Sequence, residues 1–305
     1  MARSLLALGL LALLAAGCGG TAGDGETADS GGAVLRGSTL RISGSTTVNP
    51  VVARAAEILR DERGLEITVD TQGGSSGGIA ALGEGRAEVA MSSRPIDDGD
   101  RARYPETDFR PVQIGADAVA IAVSRDVWEG GVRALGRGEM QGIYEDRIES
   151  WSEVGGPDRR IVLFDKEPGR GTWEVFADWL YGEADDAPLM SHLEVGSNEE
   201  GRTKVASTPG GVTQLSAAWT DGETVFALAV EGPDGAAVAP TAETIADGSY
   251  PISRPLLVVT DGPPEGAAAE LIDFLLSPRG QVLVEQAGYL PLGAVGEAGP
   301  TGDGE

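Results

Sequence analysis

A turn built from Gly, Ser and Thr, set between an apolar run and an amphipathic helix, recurs along this chain and limits what it can fold into. Leu40-Arg41-Ile42 leads into Gly44-Ser45-Thr46-Thr47, after which Val48, Val51, Val52, Ala55, Ile58 and Leu59 recur at helical spacing, with Gly64 as a stop. Glu66 to Thr71 alternates like a strand and passes through Gly73-Gly74-Ser75-Ser76-Gly77-Gly78 to a helix containing Ile79 and Leu82. Arg160 to Phe164 reads as a strand, and Gly169-Arg170-Gly171-Thr172 opens a helix running to Tyr181. Ser92-Ser93-Arg94-Pro95, after the short strand Glu88 to Met91, is a fourth turn of related composition. Ala118 to Val123 is continuously apolar, as a buried strand is. Leu256 to Val259 is a further strand, and Ala268, Leu271, Ile272 and Leu275 mark an amphipathic helix. Strand–helix alternation throughout predicts an α/β fold with open, largely parallel sheets.

The turns carry chemistry as well as topology. A helix N-terminus presents unpaired N–H groups and a partial positive charge. Glycine lets backbone approach a ligand, and Ser or Thr adds a hydroxyl donor. Any one such turn is explained by ordinary helix capping. Four of them in an open α/β sheet, whose strand ends line one crevice, point to a pocket for a small oxyanion. No Gly-Lys-Ser/Thr follows any glycine run, so a Walker A loop is excluded. Gly73-Gly74-Ser75-Ser76-Gly77 also fits the G-x-S-x-G pattern of a hydrolase nucleophile, and Ser75, Asp165 and His192 stand in a permitted triad order. That reading accounts for one turn and leaves the other three without a role.

Arg3 precedes an apolar run, Leu5 to Ala16, which ends in Leu14-Ala15-Ala16-Gly17-Cys18. Such a stretch is a secretory signal, too short for a spanning helix. Cys18 is the only cysteine, so the folded part can hold no internal disulfide. Residues 18–36 and 294–305 are poor in large apolar side chains and read as a flexible tether and a flexible tail. The net charge of −25 argues against nucleic acid as a partner. It also means that any anion site must act locally, since salt screens charge beyond roughly 8–10 Å.

Taken in order, Gly44-Ser45-Thr46-Thr47-Val48, the Gly73 to Ile79 turn, Ala90-Met91-Ser92-Ser93-Arg94-Pro95 and Lys166-Glu167-Pro168-Gly169-Arg170-Gly171-Thr172 resemble four signatures of the phosphate-binding lipoproteins of phosphate ABC transporters. Trp151 to Gly156, Gly196 to Glu199, Thr208 to Val212, Tyr250 to Leu256, Ser277 to Gln281 and Gly288 to Leu292 add supporting matches, and the resemblance spans roughly residues 38 to 293. It implies a type II periplasmic-binding-protein fold, with two α/β lobes joined by two crossovers near Asp117 and Tyr250. Lobe 1 is then expected at 37–117 and 251–293, and lobe 2 at 118–250, after a signal peptide at 1–17. Cys18 becomes the lipid-attachment cysteine of a monomeric, membrane-anchored, extracytoplasmic protein that is not an enzyme. It is expected to deliver inorganic phosphate to permease subunits and to need neither cofactor nor metal.

Carried over residue by residue, the resemblance places Ser45, Thr46, Thr47, Ser75, Ser76, Ser93 and Arg94 on one side of the ligand, and Lys166, Arg170, Gly171 and Thr172 on the other. Lys166 stands where the family commonly has arginine, and supplies a point charge rather than a fork. Arg170 replaces the serine of the usual Gly-Ser-Gly-Thr turn; its guanidinium is expected to reach the anion in compensation, the alternative being that it points to solvent while only its N–H serves. Near residue 213 the family has Ala-Gly-Tyr-like sequence, whereas this chain has Thr213-Gln214-Leu215. Asp117 is the candidate acceptor for the proton that distinguishes hydrogen phosphate from sulfate; its alternative role is that of a helix cap or hinge residue paired with Arg94. Sulfate, molybdate or tungstate is the alternative ligand.

Overall fold

The computed structural model describes residues 39–294 except Leu189 and Ser191. The secretory signal, Cys18, the tether to residue 36 and the tail beyond 294 lie outside the described residues. In the described part, β1 (Leu40–Gly44), α1 (Asn49–Arg63), β2 (Ile67–Asp70), α2 (Gly74–Gly83), β3 (Val89–Ser92) and α3 (Asp98–Arg103) precede a sixteen-residue strand, β4 (Phe109–Ser124). Then come α4 (Arg125–Glu129), β5 (Ala134–Leu135), α5 (Arg137–Tyr144), β6 (Val162–Lys166), α6 (Gly171–Tyr181), β7 (Leu193–Val195), α7 (Asn198–Ser207) and β8 (Gly211–Ser216). The chain continues through β9 (Val225–Glu231), β10 (Ala237–Val238), α8 (Ala242–Ala246), β11 (Ser253–Asp261), α9 (Gly266–Leu276) and α10 (Pro278–Gln286).

The strands lie in the order β2-β1-β3-β11-β4-β8-β6-β7, with β9 paired to β4, β5 and β10. β2-β1-β3 and β8-β6-β7 are parallel, as the strand–helix alternation requires. Between them β11 runs antiparallel to both β3 and β4, and β4 antiparallel to β8, so the sheet is mixed rather than largely parallel. The reason is β4 itself. Its first part, through Ala118, pairs with β11, and from Val119 onward it pairs with β8 and β9. One strand thus serves both ends of the sheet, and β11 returns beside it.

Two large apolar cores follow from this arrangement. Val48, Val52, Leu59, Val89, Met91, Leu271 and Leu275 pack on one side of the switch in β4. Val119, Ile121, Val123, Trp151, Phe176 and Leu228 pack on the other. Every residue from Ala118 to Val123 is fully buried, and each larger side chain there contributes about 1.5–3 kcal/mol. Gly64 ends α1 in the left-handed region, its N–H donating to the Arg60 carbonyl and that of Leu65 to the Leu59 carbonyl, as at a Gly stop.

Several of the matched segments prove to be packing devices. Trp151 is fully buried and donates its indole N–H to the carbonyl of Gly210, tying the 151–156 turn to the 208–212 turn. The departure at Thr213-Gln214-Leu215 is accommodated within β8, all of which is buried. Gln214 accepts from the Tyr144 hydroxyl and donates to Asp165 Oδ1, so the inserted amide is satisfied.

Candidate functional site

The ends of β1, β3 and β6 bring their turns to one place beside β11. Ser45 closes the turn that leads into α1, its Oγ accepting from the backbone N–H groups of Thr47 and Val48. The same Oγ donates to Ser93 Oγ at 3.1 Å. Ser75, in the first turn of α2, lies 3.4 Å from Ser93 Oγ and accepts from the Ser93 N–H. Gly171, opening α6, sits so close that a Cβ there would come within 2.5 Å of Ser75 Oγ and 2.7 Å of Ser93 Oγ. This is the one place where the α6 turn must be glycine for steric reasons alone.

At the centre is a residue to which sequence reasoning gave no role. Arg254, on β11, has a fully buried side chain. Its Nε and Nη2 donate to Asp117 Oδ2 at 3.0 and 2.7 Å. Its other donors face hydroxyls: Nη2 reaches Thr47 Oγ1 at 3.2 Å, and Nη1 reaches Thr172 Oγ1 at 2.8 Å and Ser93 Oγ at 3.4 Å. A buried guanidinium needs such saturation, because an unpaired charge in low dielectric is very costly. Only the match at Tyr250 to Leu256 hinted at it; nothing in a strand sequence says which charged residue turns inward.

The donor count is what gives this cluster its chemistry. Thr47 Oγ1 accepts from Arg254 and from Asn198 Nδ2, and Thr172 Oγ1 accepts from Arg254. With their oxygens so used, both hydroxyls keep their hydrogens to donate. Tyr289 fixes the α1 start from behind by donating to the Thr47 carbonyl. Asn198, a second residue missed by sequence reasoning, opens α7 and sits one position after Ser197, whose carbonyl accepts from Lys166 Nζ at 2.6 Å. Lys166 is 2% exposed, and burial, together with the charges of Arg254 and Arg170, pushes its pKa down to about 7.

Ser45, Thr47, Ser75, Ser93, Gly171 and Thr172 are therefore brought together around Arg254, with Lys166 linked to the cluster through Ser197, Asn198 and Thr47. Thr46 is half-buried beside them. The remaining expected residues are engaged by other protein groups. Asp117 pairs with Arg254, not Arg94, and its other oxygen accepts from Ser216 Oγ at 2.9 Å, so both oxygens are engaged. Arg170 turns its guanidinium to Glu167 and the Thr71 carbonyl, away from the hydroxyl cluster. Arg94 is held by Asp97, Asp100 and Glu174, and Ser76 Oγ donates to Glu174. The physical cause is common to these three: acidic neighbours satisfy them locally. The hydrolase geometry does not form. His192 lies against Asp146 and Asp165, while the Ser75 hydroxyl meets Ser93.

Two α/β regions sharing β4, with helix starts and turns converging on one buried arginine, define a binding protein of the type II periplasmic-binding-protein fold. Residues 21–279 match the PBP superfamily domain, and the chain belongs to that family. It is 28% identical over 293 residues to the phosphate-binding protein PstS of Bacillus subtilis (strain 168), covering 94% of this chain and 93% of that one. Among solved structures it resembles a putative phosphate ABC transporter substrate-binding protein with bound phosphate from Clostridium perfringens. That likeness has 27% identity and a TM-score of 0.73, over 84% of this chain and 100% of the other. An ABC-type phosphate transport receptor from Vibrio cholerae matches with 29% identity and a TM-score of 0.66, over 82% and 99% of the respective chains.

Proposed function

We propose that this protein captures inorganic phosphate and hands it to an ABC permease. The observation that carries the reading is the buried Arg254, with Asp117 behind it and the hydroxyls of Thr47, Ser93 and Thr172 before it. A tetrahedral oxyanion is an array of acceptors, and this array is an array of donors backed by a cation. The solved relative from Clostridium perfringens, of the same fold, carries bound phosphate.

Ser45, Thr46, Thr47, Ser75 and Ser93 form the first face of the site, and Lys166, Gly171 and Thr172 the second. Asp117 acts through Arg254, fixing the guanidinium plane. The two faces belong to lobes at 37–117 with 251–293 and at 118–250, joined where β4 changes partners and near Tyr250. Phosphate binds between them as they close, water is excluded, and each charge-assisted hydrogen bond then contributes about 1.5–3 kcal/mol. The protein works as a monomer outside the cytoplasm, held to the membrane by a lipid on Cys18. No helix among the described residues is long and apolar enough to cross a membrane. The function is capture and release, not catalysis.

Thermal melting with phosphate, sulfate, molybdate and tungstate tests the assignment. Phosphate is expected to raise the midpoint at concentrations where the others do not. In calorimetry, Thr47→Ala should weaken phosphate binding by at least about tenfold, the loss of one such hydrogen bond. A rise with sulfate alone, or full affinity in Thr47→Ala, refutes it.

A further inference from the structure

A further contact joins the two faces, at Ser76 and Arg94. Glu174 lies in the first turn of α6, two residues beyond Thr172. A carboxylate there is favoured by the helix dipole, yet this one makes no cap on its own helix. It reaches across to Ser76 Oγ, which donates to Glu174 Oε1 at 2.7 Å, and to Arg94. Its side chain is 17% exposed there.

Arg94 does not need this partner. Asp100 already holds it at both terminal nitrogens, at 2.5 and 3.0 Å, and Asp97 stands 3.3 Å away. The Pro95 carbonyl and Ser76 Oγ also accept from it. Before Glu174 is counted, the cluster therefore holds two carboxylates against one guanidinium. Glu174 Oε2 meets Arg94 Nε as an ion pair. Asp178, one turn further along α6, adds another acidic group that feels the same arginine. Burial pushes the Glu174 carboxyl's pKa up, and Asp100 adds to the rise, against the opposing pull of Arg94 and Ser76.

A buried ion pair contributes little when desolvation offsets its attraction, and removing one member is costly only if the other is left unpaired. Here Arg94 stays paired without Glu174. We propose that Glu174 is a release element: a carboxylate that cleft closure buries against charge already balanced, so that it loosens the closed form and speeds departure of the ligand. The inference rests on the phosphate-capture reading and adds a residue that sets affinity without touching the anion. Linkage gives the sign with pH. A carboxyl with a higher pKa closed than open favours closure when protonated, so Glu174 opposes closure more as pH rises through its closed-state pKa.

The test is Glu174→Gln in the full chain, with phosphate affinity measured by calorimetry and release by stopped flow between pH 5 and 8. Gln keeps an oxygen for Ser76 and removes the charge. It should bind phosphate about three- to tenfold more tightly, with release slowed to match. The advantage should shrink as pH falls and the raised wild-type carboxyl takes up its proton. Weaker or unchanged binding at neutral pH, or an advantage that does not change with pH, overturns the proposal. Should Glu174→Gln fail to fold, Asp100→Asn, which removes one competing carboxylate, should move affinity in the same direction; unchanged or weaker binding there overturns it equally. A wild-type protein that does not bind phosphate at all defeats the capture reading instead, and the two failures are told apart by that control.

Discussion

At the scale of single residues, the site depends on how charge is balanced out of water. Arg254 and Asp117 neutralise each other, so the positive charge left over for an incoming anion belongs to Lys166. Its pKa, pushed down to about 7, shows how poorly a bare ammonium is tolerated beside Arg254 and Arg170. In the unliganded protein that lysine opposes folding most below pH of about 7, and the penalty fades as pH climbs toward the ordinary lysine value of about 10.4. A bound dianion reverses the preference and restores the ammonium. Binding above pH of about 7 should therefore take up a proton at Lys166, an uptake that calorimetry in buffers of differing ionisation enthalpy detects. Lys166→Met should lose that proton uptake relative to wild type, and equal uptake by both would show that the lysine does not sense the ligand. The hydroxyl donors were legible in the sequence because Gly/Ser/Thr turns at helix starts have few other uses in such number. Arg254 and Asn198 were not, because inward-facing strand and helix residues are chosen by tertiary packing. Arg170 and Arg94 misled for a related reason: sequence shows a charge near a site, but not the Glu167 or Asp100 that claims it.

At the scale of elements, the proposed capture needs helices to start in contact with one another. The opening of α6 meets the turns at Ser75 and Ser93 so closely that a single methyl group would intrude. Gly171→Ala should therefore hold the two faces apart. Phosphate affinity in that variant should fall by at least about tenfold, while the unliganded melting temperature changes little, because the contact is between faces rather than within a core. Full affinity in Gly171→Ala would mean that the faces need not meet as described. The helices with a strong apolar stripe, α1 and α9, were readable from periodicity. α7 was not, since Asn198–Ser207 buries only Asn198, Gly201 and Val205. The mixed sheet was also hidden: alternation of strands and helices predicts parallel pairing, and only the length of β4 betrays a strand that serves both halves.

For the molecule as a whole, the acidic surface and the anion site are separate matters. The net charge of −25 acts at long range and is screened, whereas the donors around Arg254 act at hydrogen-bond distance in a region closed to water. Exposed ion pairs such as Arg279 with Glu62 add little to stability. What sets the architecture is the pair of cores on either side of the switch in β4, and turns from both sides reach one arginine. A crystal structure of the protein grown with phosphate tests this most directly. Tetrahedral density within about 3.2 Å of Thr47, Ser93, Thr172 and the Arg254 guanidinium is the result the account predicts. Phosphate bound at another surface, with these side chains left in contact only with each other, would contradict it.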